Sequence, residues 1–472
     1  NLNSNKTLTQ GYSAQGFPEG DFVYPSFSNG YPEGGSPTYY ENTSRSMNGY
    51  FNLGYSFDDR YLMDFSLREN GSSVFGASKR YIGTWSVGLG WNLHKERFIA
   101  DHLTWIDFLK LRASIGNPGN QNFSSSKTLT TFNFQLASMN YFGMGAVLNQ
   151  LGNPDLDWQI TLDKNIGIDM TLIDKRLNIT ADYYHKVTDP LLINISMPLS
   201  SGTSSYLTNM GKQISQGLTL SASYYIIQKL DQRFSWLVRG NLRTQKTKLD
   251  KIGNKLDELN KSGQGHNTVR YYNGADPDDI WAVKSAGIDP STGRELFYDK
   301  EGNYTYDFSY DNEVICGNTR PKIEGVIGTS LNYKGFSVSM NFRYQTGASV
   351  FNEALFNKVE NISVSGLNKN QDKRALYERW QNPGDKVRFK DIANAASTPM
   401  SSRFIQKENV LSMESVYVGY EFYEGWIKKI GLSNLKIQAS MRDVFRASTI
   451  KSERGTLYPF ARSLELGLSF NF

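Results

Sequence analysis

Residues 323–344 read Ile323-Glu-Gly-Val-Ile-Gly-Thr-Ser-Leu-Asn-Tyr-Lys-Gly-Phe-Ser-Val-Ser-Met-Asn-Phe-Arg-Tyr344. Side chains along a strand point alternately to its two faces. Phe336, Val338, Met340, Phe342 and Tyr344 therefore share one face, and Ser337, Ser339, Asn341 and Arg343 share the other. The run before them alternates too, and only Lys334-Gly335 separates the two. The stretch reads as two antiparallel strands joined by a tight turn, each with one apolar and one polar face.

The same period of two recurs at 47–57, 61–68, 81–93, 109–115, 158–172, 177–187, 214–226, 234–243, 410–422 and 435–442. It ends in Phe460, Leu464, Leu466, Leu468, Phe470 and Phe472 on one face of a last strand. Helical periodicity is scarce. This gives about thirteen strands, with boundaries good to about two to four residues.

Two environments produce such a pattern. A soluble sandwich buries its apolar faces between two sheets. A membrane barrel turns them to lipid and lines its lumen with polar groups. Segments of about 9 to 15 residues suit tilted membrane strands better than sandwich strands, which run about 5–6 residues. The connections also sort by length. Short ones fall at 58–60, about 94–106, 174–176, about 227–233, 334–335 and about 424–433. Long ones fall at about 69–80, 116–157, 188–213, 244–322, 345–409 and 443–459. Short periplasmic turns alternating with long extracellular loops characterise an outer-membrane barrel, and a sandwich has no reason to sort its loops this way.

Composition narrows the remaining classes. The chain has 472 residues and a mean hydropathy of −0.49, and no stretch approaches the length of a transmembrane helix. The single cysteine, Cys316, excludes a disulfide scaffold. A net charge of +5 lends no support to a nucleic-acid partner. Length alone suggests about three domains, but all-β barrels are an exception to that prior. Residues 1–44 are rich in Gly, Pro, Ser, Asn and Tyr and read as a long extracellular loop. Residues 45–472 read as barrel. Single-chain bacterial barrels have an even strand number. An odd count with a loop at the start therefore leads to the expectation that an N-terminal part of the barrel lies upstream.

Several stretches resemble SusC-like (RagA-like) TonB-linked outer-membrane transporters of Bacteroidetes-type bacteria. They are Ser66-Leu-Arg-Glu-Asn-Gly-Ser-Ser-Val-Phe-Gly76, Ser86-Val-Gly-Leu-Gly-Trp91, Leu111-Arg-Ala-Ser-Ile-Gly-Asn-Pro-Gly-Asn-Gln121 and Gly152-Asn-Pro-Asp-Leu-Asp-Trp158. Asp182-Tyr-Tyr184, Asp189 to Gly202, Gly287-Ile-Asp-Pro-Ser-Thr-Gly293, Asn318 to Pro321, Tyr333-Lys-Gly-Phe336 and Arg379-Trp-Gln-Asn-Pro-Gly384 follow in family order. Asn70 stands where the family usually has Asp, and Pro118 precedes Gly119 where it often has Thr. The resemblance implies a roughly 22-stranded barrel plugged by an N-terminal domain. It further implies import of a large nutrient, glycan or oligopeptide, energised by the TonB complex through the upstream part. A SusD-like surface lipoprotein would cover the barrel mouth. The rival is a secreted β-rich adhesin or carbohydrate-binding protein without transport.

No catalytic constellation emerges. His94, His102, His185 and His266 stand apart from any nucleophile motif, and Asp276-Pro-Asp-Asp279 lacks calcium-loop spacing. The reading is therefore no enzyme, no cofactor and no metal. The loops are rich in aromatic residues, including Tyr39, Tyr40, Tyr141, Phe142, Tyr304, Tyr306 and Tyr310. Among them Tyr271, Tyr272, Trp281, Tyr298 and Trp380 are the substrate candidates, because aromatic faces stack on sugars and pack on peptide side chains. Trp85, Trp91 and Trp236 are expected in the interfacial girdles. Asp64, Arg68, Arg112 and Arg239 are expected on the lumen face, against a plug or the transport path.

Overall fold

A computed structural model describes residues 1–472 except 21–26, 33–37, 74–79, 121–127, 198, 204, 230, 255, 364, 365, 367, 369, 395 and 452–461. The motif residues Val74 to Gly76 and Gln121, the strand residue Phe460 and part of the last long loop thus lie outside the described residues.

Fourteen strands form one antiparallel meander, each paired with its neighbour in sequence. They are β1 (Leu2–Gly11), β2 (Thr38–Phe57), β3 (Tyr61–Ser72), β4 (Tyr81–Asn92), β5 (Ile106–Gly116), β6 (Gln159–Leu172) and β7 (Leu177–Thr188). Then follow β8 (Lys212–Lys229), β9 (Phe234–Asp250), β10 (Ile323–Tyr333), β11 (Phe336–Phe351), β12 (Ile405–Phe422), β13 (Asn434–Ser448) and β14 (Leu464–Asn471). A two-residue strand, Gly119–Asn120, adds to the start of β6.

Registry turns the one-dimensional alternation into rows across the wall. One row runs Tyr55, Met63, Leu89, Ala113, Ile166, Tyr183 and Leu218. The adjacent row runs Gly54, Asp64, Gly88, Ser114, Asn165, Tyr184 and Gly217. The apolar row lies open, with Ile166 64% exposed. In water each such side chain would forgo roughly 1.5–3 kcal/mol of burial. A single sheet with one open apolar face is the barrel solution to that problem, with lipid as the missing partner.

The turns that set this registry need unusual backbone. Lys334 and Gly335 take φ of 47° and 92°, the two-residue hairpin geometry whose twist matches its strands. Asp58 and Asp59 also have positive φ. Aromatic rings line this short-turn edge. Phe57, Tyr61 and Trp91 stack in series at 6.5 and 6.2 Å, and Phe234 meets Tyr333 at 5.2 Å. A barrel places such rings at a membrane interface. Trp91 belongs to this line, and Trp236 lies two residues beyond Phe234 on the same face. Trp85 instead sits deeper in β4, opposite Leu67.

Two differences from the sequence expectation stand out. Leu2–Gly11 is a strand, so residues 1–44 are not loop throughout and the meander has fourteen strands among the described residues rather than thirteen. Its face alternation is masked by Asn3, Ser4, Asn5, Lys6 and Thr7, and the partner stretch of β2 is equally polar. Lys6 pairs with Glu41 at 2.8 Å across this hairpin. The strands also run further toward the long loops than expected, to Asp250 in β9 and Phe351 in β11.

The packed cores lie in the long loops and at the strand ends they join. One cluster joins Leu191, Met210, Leu249, Ile252 and Leu256. A second joins Leu355, Val359, Ala375, Phe389 and Phe404 within loop 352–404. Loop 251–322 carries its own strand pair, Asp279–Val283 with Glu313–Asn318, and a three-stranded sheet of Ser285–Ile288, Glu295–Tyr298 and Tyr304–Thr305.

Candidate functional site

The polar face of the wall holds the first set of candidates. Asp64, on the row already traced, sits between Gly54 and Gly88, which leave room for its side chain. Arg68 and Arg112 line one groove on this face. Arg112 is also the centre of an ion triad. Its Nε donates to Asp169 at 2.6 Å and its Nη2 donates to Asp182 at 3.0 Å. Gly167 permits this approach, because a Cβ there would sit 2.4 Å from Asp182 Oδ1. Further round, Arg239 donates to Asn341 at 3.2 Å, and Asn341 to Ser415 at 3.0 Å. The structure thus places all four charged candidates on the polar face without bringing them into one site.

A polar chain climbs from this face into the loops. Tyr184 donates to Gln245, Gln245 to Thr247, and Arg320 to Thr247 at 2.7 Å. Arg320 also pairs with Asp276 and Asp278. Asp279 accepts from the Asp276 amide and from Asn318. The acid run 276–279 therefore works as a loop anchor with Arg320 as its counterion. Sequence reasoning held Arg320 only as part of the resembling stretch Asn318 to Pro321 and gave it no role.

The two long loops lock together through buried charge. Arg403 donates to Glu295 at 2.8 Å and to Glu360 at 2.7 Å. Ser401 donates to Glu295 at 2.5 Å. Burial pushes the Glu360 carboxyl up, but hydrogen bonds and charge from Arg403, with help from Thr398, outweigh it and hold the group below the usual glutamate value. Arg379 is buried and caps the carbonyls of Val359, Glu360 and Lys390. Arg270, 1% exposed, makes a two-point pair with Glu313 at 2.7 and 2.8 Å.

The aromatic candidates are dispersed over this assembly. Tyr271 packs on the Leu249 and Ile252 cluster. Tyr272 is partly exposed and meets Trp281 at 4.8 Å, and the part of it that is covered from water raises its hydroxyl pKa. Tyr298 lies against Tyr304 at 5.1 Å with the Lys284 ammonium 5.2 Å from its ring. Trp380 donates to the Pro290 carbonyl at 2.9 Å and covers Gly293, so it fastens one loop to the other. Tyr141 and Phe142 cap a hairpin, 96% and 92% exposed. Of the candidates, only Tyr272 and Trp281 form a mutual pair.

This architecture has relatives. The family described as TonB dependent receptor-like, beta-barrel matches residues 1–366. TonB-dependent receptor SusC of Bacteroides thetaiotaomicron is 26% identical over 457 residues, covering 91% of this chain and 44% of that protein. TonB-dependent receptor P39 of Formosa agariphila is 27% identical over 470 residues, covering 89% of this chain and 44% of that protein. Among solved structures, the RagAB peptide importer in its closed-closed state superposes with a TM-score of 0.85 at 22% identity, covering 100% of this chain and 52% of that one. The chain spans less than half the length of these curated relatives. It belongs to the TonB dependent receptor-like β-barrel family of outer-membrane proteins, with SusC among its homologues.

Proposed function

We propose that this chain is the C-terminal barrel portion of an importer that carries a large nutrient, glycan or oligopeptide, across the outer membrane. A SusD-like surface lipoprotein serves as its lid, and the TonB complex acts through upstream sequence. The observation that carries this reading is the likeness to SusC along nine-tenths of the chain. The wall supports it with a polar face bearing Arg68, Arg112 and Arg239 beside an open apolar face. A secreted adhesin would have no use for that apolar face. In this reading Asp64, Arg68, Arg112 and Arg239 face plug or cargo. The partly exposed Tyr272, with Trp281 and Tyr298, contributes cargo contacts, while Tyr271 and Trp380 mainly hold the loops. Family membership points to transport rather than catalysis.

The test uses the full-length receptor, tagged in its own outer membrane. Affinity isolation should recover a surface lipoprotein in near-equal amount. Cells lacking the receptor should lose uptake of a labelled oligopeptide or glycan, as should cells in which the TonB complex is disabled. Uptake unchanged in both, with no lipoprotein recovered, would overturn the reading.

A further inference from the structure

Three short turns, 231–233, 334–335 and 423–433, lie side by side on one edge of the wall. The Lys334 amide donates to the Arg233 carbonyl at 3.2 Å, and the Glu421 amide to the Gly335 carbonyl at 2.9 Å. The Arg233 guanidinium sits 4.1 Å from the centre of the Tyr423 ring, which orients it along the rim. These turns carry four exposed cations, Arg233, Lys334, Lys428 and Lys429, and two acids, Asp231 and Glu424. Among the described residues none of the four cations has an ion pair. At the first turns of the same edge two cations are matched, whereas Arg97, Lys175 and Arg176 have no ion pair among the described residues but lack this clustering of four. Arg60 pairs with Asp58 at 2.6 Å and with Glu96, and Lys95 pairs with Asp59 at 3.1 Å.

The last of the three turns also departs from what water favours. It folds into a short helix, Trp426–Lys429, that anchors Ile427 inward and leaves Trp426 and Ile430 exposed beside the two lysines. Trp426 continues a line of rings from the lipid-facing wall, with Tyr420 to Phe422 at 4.6 Å and Phe422 to Trp426 at 5.7 Å. An exposed apolar patch that is continuous with a lipid-facing surface and edged with unpaired cations fits the boundary between acyl chains and anionic headgroups. Basic groups at a membrane surface attract anionic lipid, and their contributions add.

We propose that this rim is a binding site for anionic phospholipid, with Trp426 and Ile430 at acyl-chain depth and the four cations on the headgroup phosphates. The proposal rests on the outer-membrane reading of the wall, but not on import. Lipid retention is measured without cargo or energy, so the two can fail separately.

The test is native mass spectrometry of the full-length receptor in detergent, with phosphatidylglycerol or phosphatidylcholine added. Wild type should retain phosphatidylglycerol preferentially. Lys428→Gln with Lys429→Gln should weaken that retention at least about fivefold, and adding Arg233→Gln and Lys334→Gln should remove the preference. Heat-modifiable migration on gels checks that each variant is folded, and the double variant suffices if the quadruple one is not. Equal retention of both lipids by wild type, or unchanged phosphatidylglycerol retention in the folded variants, would overturn the proposal. So would displacement of the lipid by an equal concentration of inorganic phosphate, which would assign the cations to a soluble anion.

Discussion

The wall and the loop assembly solve opposite problems with the same chain. In the wall, Tyr55, Leu89 and Ile166 are exposed, and the charges Asp64, Arg68 and Arg239 share the other face. In the loops, Leu256, Val359 and Phe404 are buried, and so are Arg270, Glu360 and Arg379. A wall bathed in lipid satisfies its backbone through strand pairing and leaves its apolar side chains to the solvent. The loops face water, so they build small cores of their own and tie them with charge pairs that must be complete to be tolerated. The lesson is that burial marks stability in the loops but not in the wall.

That contrast can be broken most sharply at Arg403. Replacing it with Met strands Glu295 and Glu360 in a buried setting, a loss of about 3–5 kcal/mol confined to the loops. Limited proteolysis of the intact receptor should cut within 352–404, while heat-modifiable migration of the barrel stays unchanged. Ile166→Arg tests the other region. An arginine on the lipid face costs about 2–4 kcal/mol near the bilayer midplane, so assembly into membranes should fall, whereas Ser114→Arg on the polar face should assemble normally.

Gly167→Ala should cost about 1–3 kcal/mol, because its Cβ meets Asp182 and Arg112, both held in a triad. A urea titration of the folded barrel would read it. The smallest of these effects comes from pH. The folded-state pKa of Glu360 is depressed, so its contribution is fully present above the ordinary glutamate value and is lost as pH falls through the depressed one. Protease resistance of loop 352–404 should hold at neutral pH and drop in acid. In Glu360→Gln that acid-dependent step should shrink.

Much of the wall was legible because lipid on one side and a wet lumen on the other impose a strict period of two. The short turns were legible because hairpins need residues such as Lys334-Gly335 at positive φ. Leu2–Gly11 was not, since Asn3 to Thr7 are polar on both faces and only the pairing with β2 makes them a strand. The loop assembly was not legible either. Arg403 and Glu295 are 108 residues apart, and Arg320 and Asp276 are 44 apart, with no local pattern linking them. Aromatic content marked Tyr271 and Trp380 as candidates equally with Tyr272. Composition cannot tell a ring that fills a cluster from one that faces solvent.

The most direct test is of which face of the wall meets lipid. In the full-length receptor with Cys316→Ser, single cysteines placed at positions 62 to 67 of β3 would be labelled in native membranes. Cysteines at Met63, Phe65 and Leu67 should react with a membrane-dissolved maleimide and resist a charged one. Cysteines at Leu62, Asp64 and Ser66 should show the reverse. Uniform reactivity of all six toward the charged reagent would contradict a lipid-facing barrel wall.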